Sequence, residues 1–294
     1  MSRIHDALKR AEQDRATLLG GRFETALDAP EPETADVPAH VTTAVMPSPS
    51  SPFSYETLVA RCPVAQWSPD PRTMLFFQDD ENRRGSEEFR TLRSRLYQIR
   101  EKMPLKHIMV TSPLPKEGKS FVAANLAQVL VRQHGRRALV IDADMRAPGM
   151  HRHFGTSQNP GLAEYLMGES DEFGVLQRGP MENLFFVPAG RVVSGAPELL
   201  SNGRLKLFLQ RVEPLFDWII LDTPPVIPVS DATLLANFCD GILMVVRANS
   251  TPSDLARRAR EEFPDKLLLG VVLNGMQHKQ SAYYYYGEAT SSLA

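Results

Sequence analysis

The chain has few cysteines, no long apolar run and almost no net charge. Its 294 residues include two cysteines, Cys62 and Cys239, far apart and in no ligand spacing. That excludes a disulfide scaffold and a thiolate metal centre, and it fits a reduced, cytoplasmic setting. No stretch approaches the ~18 consecutive apolar residues of a membrane helix. The segment Met1 to Arg15 is strongly charged and lacks the apolar core of a signal peptide. Any membrane role is therefore expected through a partner or a surface contact. A net charge of −2 gives no basis for binding nucleic acid through charge.

Four parts are legible along the chain. Residues 1–20 form the first, in which Ser2 to Leu19 reads as an amphipathic helix with Ile4, Leu8 and Ala11 at helical spacing. It is either a solvated helix or a docking helix; its apolar stripe is thin for membrane insertion. Residues 21–80 carry nine prolines between Pro30 and Pro71 and no sustained period, which predicts a disordered linker with order resuming between Arg72 and Arg84. The third part, 81–280, opens with a helix over Ser86 to Arg100, on which Phe89, Leu92, Leu96 and Ile99 share a face. Ser86 is its expected N-cap, with Glu87 and Glu88 in the first turn. Apolar runs at His107–Val110, Arg137–Ile141, Leu184–Val187, Asp217–Leu221, Gly241–Val246 and Leu267–Leu273 then alternate with helical stretches. This pattern predicts an α/β fold, a parallel sheet with helices on both faces. The last part, 281–294, is a polar tail holding Tyr283, Tyr284, Tyr285 and Tyr286 in succession. A sticky, aggregation-prone tail is the plain alternative to a modified one.

The chemistry is carried by one loop and two strand ends. Ser112-Pro113-Leu114-Pro115-Lys116-Glu117-Gly118-Lys119-Ser120 lies between a strand and a helix. It matches a phosphate loop through Gly118-Lys119-Ser120, with Pro113 where the first glycine of the pattern would stand. Backbone N–H groups of Pro115 to Phe121 (Pro115 itself has none) and the helix N-terminus would face phosphates, with Lys119 on the β and γ groups and Ser120 on Mg²⁺. Asp222 ends the strand Trp218-Ile219-Ile220-Leu221, the Walker B arrangement, where a carboxylate holds Mg²⁺ through water. Asp142 and Asp144 end the strand Ala138-Leu139-Val140-Ile141. Two residues apart on an extended chain, they project to one side. One can act as base toward an acceptor hydroxyl while the other helps hold the metal, or one can simply cap the next segment. In such a sheet, ligands sit at the carboxyl ends of the strands, where all three carboxylates fall.

With these motifs in place, residues Glu87 to Glu288 resemble the bacterial tyrosine kinases of polysaccharide-export systems. The loop is similar to their Walker A, Ala138 to Arg146 to their extra Walker A′, and Ile219 to Pro225 to their Walker B. The resemblance implies a phosphate-loop NTPase fold with deviant Walker motifs and ATP and Mg²⁺ as cofactors. It also implies that Asp142 is catalytic base and metal contact, that Asp144 supports it, and that Asn274 contacts adenine. Glu87, Arg90 and Arg93 resemble the Glu-x-x-Arg-x-x-Arg helix through which family members self-associate. By spacing alone the same residues are an intrahelical ion-pair ladder. Tyr283 to Tyr286 are similar to the family's autophosphorylated cluster. Lys116 departs from the pattern; family members often carry Gly there, and the lysine either adds charge near the phosphates or faces solvent. The opening Ser2 to Ala11 is similar to that of kinases encoded with exopolysaccharide loci of the exosortase type.

The expectation is an ATP-dependent protein-tyrosine autokinase controlling polysaccharide polymerisation and export. Its expected partners are a membrane-embedded co-polymerase that activates it and recruits it to the inner face of the membrane, a second copy of itself in a ring, and a tyrosine phosphatase. One rival is a partitioning or positioning ATPase; these typically carry a signature lysine where this chain has Leu114. The other is a non-catalytic scaffold gated by nucleotide.

Overall fold

The computed structural model describes residues 53–62, 64–77, 83–133 and 135–276. The amphipathic N-terminal segment and the tyrosine cluster lie outside these residues. Among the described residues no helix is long and apolar enough to cross a membrane.

Seven strands form one sheet: β1 (His107–Thr111), β2 (Ala138–Asp142), β3 (Gln177–Arg178), β4 (Leu184–Val187), β5 (Trp218–Asp222), β6 (Gly241–Arg247) and β7 (Leu268–Asn274), in the order β3-β4-β2-β5-β1-β6-β7. All pairs are parallel except β3 with β4. The six expected strands are present. The two-residue β3 was not foreseen, being too short to carry a period.

Strand alternation divides the core. Leu139, Ile141, Phe185, Val187, Ile219 and Leu221 face one side, while Ala138, Val140, Leu184, Phe186, Trp218 and Ile220 face the other. Both faces are buried, so the strands read as continuous apolar runs. Helix α1 (Tyr55–Arg61) precedes the sheet, and α2 (Ser86–Arg100) and α3 (Lys119–Val131) pack against its second face. Further helices are α4 (Met150–Phe154), α5 (Leu162–Met167), α6 (Glu172–Val175), α7 (Ala196–Ser201), α8 (Arg204–Val212), α9 (Asp231–Ala236) and α10 (Ser253–Glu261).

Helix α3 is apolar nearly all round, and residues Val122 to Val131 are buried, as its place between sheet and α2 requires. Its two interior polar side chains have partners. Asn125 accepts from the Leu75 N–H at 2.7 Å and donates to the Thr73 carbonyl at 2.8 Å.

That clasp is one reason part of the expected linker is ordered: residues 53–62 and 64–77 belong to the described structure, ahead of the expected start between Arg72 and Arg84. Ser54 caps α1 through the Thr57 N–H, and Leu58, Trp67, Met74, Leu75 and Phe76 are buried. These apolar residues supply enough burial to order a proline-rich stretch. A second correction concerns Ser86. Gly85, at φ 96°, is the N-cap of α2. Ser86 is the first helical residue, and its hydroxyl is buried without a partner.

Candidate active site

Register brings the carboxylates together. Asp142 of β2 and Asp222 of β5 are direct partners across adjacent parallel strands, and Val110 of β1 pairs with Asp222 on the other side. The loop that follows β1 thus stands over the two acidic strand ends. Its close is set by Gly118, which at φ 96° takes a left-handed conformation and lets α3 begin at Lys119.

The loop is braced from several sides. The Glu117 carboxylate accepts from the Leu114 N–H at 2.9 Å and from the Thr251 hydroxyl, so its side chain ties the loop together and only its backbone is left to face a ligand. The Phe121 side chain turns away toward Phe89, with ring centroids 5.9 Å apart. Pro115 and Lys116 are exposed. Lys116 has φ 65°, the left-handed region that favours glycine, so the departure from Gly at this position carries backbone strain. Its carbonyl accepts from Arg247 at 3.1 Å. Asn274, at the end of β7, donates to the Glu117 carbonyl at 2.8 Å. A Cβ on Gly118 would fall 2.1 Å from that amide nitrogen and displace it, and φ 96° strains any side chain there. Asn274 therefore secures the loop backbone.

Inside the site, Lys119 Nζ lies 2.9 Å from Asp144 Oδ2, and the Lys119 side chain is only 13% exposed. The other Asp144 oxygen accepts from the Ala147 N–H at 3.0 Å. Asp142 accepts from the N–H groups of Asp144 at 3.1 Å, Gly149 at 3.3 Å and Met150 at 3.1 Å. Both oxygens of Asp222 are buried without a hydrogen-bond partner, although the Ser120 hydroxyl faces them. Burial raises Asp142 well above the usual carboxylate range, and the Asp222 charge raises it further, against the Met150 N–H and Lys119. Burial likewise raises Asp222, with Lys119 and Ser120 opposing. Burial pulls Lys119 down, but Asp222, Asp144 and Asp142 outweigh it and hold the ammonium charged above the ordinary lysine value.

A buried carboxylate with both oxygens unpaired, beside a hydroxyl and an ammonium, fits a divalent cation with bound phosphate. Mg²⁺ takes most of its ligands from phosphate and water, so it needs few protein ligands beside a phosphate loop.

Not all expected site residues share this cluster. Glu87 pairs with Arg90 along α2, as the ladder reading has it. Arg93 donates to the Val129 carbonyl at 3.1 Å in the last turn of α3. Sequence reasoning missed Thr251, Arg247 and Asp231, since their contacts span 134, 131 and 85 residues and leave no local pattern.

The fold and the loop with its acidic strand ends define a nucleotide-binding protein of the phosphate-loop class. A family model described as an AAA domain matches residues 116–252. Tyrosine-protein kinase YwqD of Bacillus subtilis is 35% identical over 206 residues, covering 69% of this chain and 86% of that protein. Tyrosine-protein kinase CpsD of Streptococcus agalactiae is 33% identical, covering 62% and 80% respectively. The kinase domain of Escherichia coli tyrosine kinase ETK superimposes with a TM-score of 0.65 at 27% identity, covering 81% of this chain and 99% of that domain. Some relatives are longer: the chain spans only 24% of tyrosine-protein kinase ptk of Acinetobacter johnsonii. The chain belongs to the bacterial tyrosine-protein kinase family.

Proposed function

We propose that this kinase transfers the γ-phosphoryl group of ATP to its own Tyr283 to Tyr286 and thereby regulates assembly and export of an extracellular polysaccharide. The observation that carries this is the meeting of Lys119, Asp142, Asp144 and Asp222 at the carboxyl end of the sheet, beside the loop that Asn274 secures. Tyr283 follows Asn274 by nine residues. At about 3.3 Å per extended residue, such a segment reaches roughly 30 Å, so the acceptors are within range of a site in the same or a neighbouring subunit.

In this reading the loop N–H groups and the N-terminus of α3 bind the phosphates. Lys119 leaves Asp144 for the β and γ oxygens, and Asp144 remains as its counter-charge. Ser120, Asp142 and Asp222 would hold Mg²⁺, which would supply positive charge to offset that of the transferred group. Asp142 accepts the phenolic proton as the tyrosine oxygen bonds to phosphorus and ADP leaves. Asn274 borders the adenine.

A membrane-embedded co-polymerase supplies the activating segment and recruits the kinase to the inner face of the membrane. A tyrosine phosphatase resets the tail. Self-association through Glu87, Arg90 and Arg93 builds a ring that presents tails between neighbours. Each phosphate adds about −1.5 to −2 charge, and crowded phosphates loosen the ring. In the test, dephosphorylated protein is incubated with γ-labelled ATP, Mg²⁺ and candidate activator segments. The expected result is label on tyrosine, lost in Asp142→Asn. Nucleotide binding without transfer under every condition would favour the scaffold.

A further inference from the structure

The ion pair between Arg146 and Asp231 has no part in the phosphate chemistry described so far. Arg146 Nε lies 2.7 Å from Asp231 Oδ2, and Nη2 lies 2.9 Å from Oδ1. This is a two-point fork in which the aspartate is 1% exposed. A lysine cannot reproduce such a fork.

The two residues stand on the loops that follow the two acidic strands. Arg146 is four residues beyond Asp142, inside the turn that runs from Asp142 to Gly149. Asp231 is the first residue of α9, nine residues beyond Asp222. The turn holds Asp142 through the N–H groups of Asp144, Gly149 and Met150, so its path fixes where the Asp142 carboxylate points. It also fixes Asp144, through the Ala147 N–H. The segment from Asp222 to α9 is anchored to the phosphate loop, with the Val226 N–H on the Ser112 carbonyl at 2.9 Å and the Ile227 N–H on the Pro113 carbonyl at 3.3 Å. Arg146 thus closes a frame joining the turn below Asp142 to the segment that carries the phosphate loop.

The geometry points to Arg146 as a positioning residue: its fork onto Asp231 sets the Asp142–Gly149 turn and so aims the Asp142 carboxylate at the point it shares with Asp222. This rests on the reading of Asp142 and Asp222 as the metal and phosphoryl-transfer carboxylates. A mere stabilising pair would cost only folded protein when broken. A positioning pair changes the turn in protein that remains folded.

The test compares wild type, Arg146→Lys, Arg146→Gln, Arg146→Gln with Asp231→Asn, and Asp142→Asn. Amide hydrogen exchange without nucleotide reads the turn directly. In Arg146→Gln, the Asp144, Gly149 and Met150 amides are expected to exchange at least tenfold faster, while those of β5 stay protected. The affinity gained for an ATP analogue on adding Mg²⁺ falls at least threefold, while affinity in EDTA stays within twofold. Turnover falls more than tenfold with little change in KM, and Arg146→Lys is intermediate. The double variant removes the unpaired buried charge, so it recovers thermal stability but not turn protection or turnover. Unchanged exchange and Mg²⁺ dependence in folded Arg146→Gln would overturn the proposal, as would turnover returning together with stability in the double variant. Loss of turnover in Asp142→Asn beside an unaffected Arg146→Gln refutes this inference alone. An active Asp142→Asn refutes the reading beneath it.

Discussion

Asp142 and Asp222 sit opposite each other on neighbouring parallel strands, and both oxygens of Asp222 are buried without a hydrogen-bond partner. A carboxylate left in that state destabilises the ligand-free fold and serves the bound one. Asp222→Asn removes the buried charge but leaves a buried amide and takes a counter-charge from Lys119, so it is expected to stabilise the ligand-free protein by about 1 kcal/mol at most, while abolishing the stabilisation that Mg²⁺ adds to ATP.

The pH dependence of that gap follows from the direction of the shift. The folded pKa of Asp222 lies above its ordinary 3.8. Wild type is penalised while the group is ionised, above the raised pKa, and the penalty fades as the pH falls through it toward 3.8. Denaturant titrations should find the advantage of Asp222→Asn widest above neutrality and closing in mild acid.

Lys119 is the counter-charge of three buried acids. Lys119→Met should lower ligand-free stability by about 3 kcal/mol, as for a broken buried pair. Adding Asp144→Asn should recover a good part of that loss without restoring phosphoryl transfer. Equal stability of the two variants would contradict the Lys119–Asp144 pairing.

Lys116 offers a test of loop strain. Lys116→Gly removes a side chain from a left-handed position, a relief of about 1 kcal/mol at most. It should raise the melting temperature slightly and leave nucleotide affinity unchanged. Lys116→Val, β-branched at the same φ, should lower both.

Glu87, Arg90 and Arg93, the α2 residues expected at a self-association contact, separate by partner. Arg93→Ala strips a donor from the Val129 carbonyl and should cost about 1 kcal/mol in the monomer. Arg90→Ala breaks the pair with Glu87, whose own side chain is exposed. Sedimentation alongside denaturation distinguishes the roles: self-association lost in Arg90→Ala at unchanged stability would mark Arg90 as an interface residue.

Much of this was legible in the sequence because the signals are local. Val140-Ile141-Asp142 and Ile220-Leu221-Asp222 are apolar runs that end in an acid, and Gly118-Lys119-Ser120 lies between strand and helix. Proximity of Asp142 to Asp222 follows once both strands are placed in one parallel sheet. What stayed hidden depends on distant contacts. Prolines masked the order from Phe53 onward, although Leu58 and Trp67 are buried. Helix α2 begins one residue too early for a serine cap because Gly85 takes the left-handed position. The role of the Glu117 side chain is set by Thr251, far along the chain. The value of Arg146 depends on Asp231, which no spacing rule connects to it.

Tyr283 to Tyr286 are the proposed substrate of this site. Dephosphorylated wild type, Lys119→Ala and a variant with Tyr283 to Tyr286 all changed to Phe would be incubated with Mg²⁺-ATP and an activator segment, and the tail peptides weighed by mass spectrometry. Phosphate is expected on one or more of Tyr283 to Tyr286 in wild type, and unmodified tails in both variants. ATP hydrolysis with an unmodified wild-type tail under every condition would contradict it.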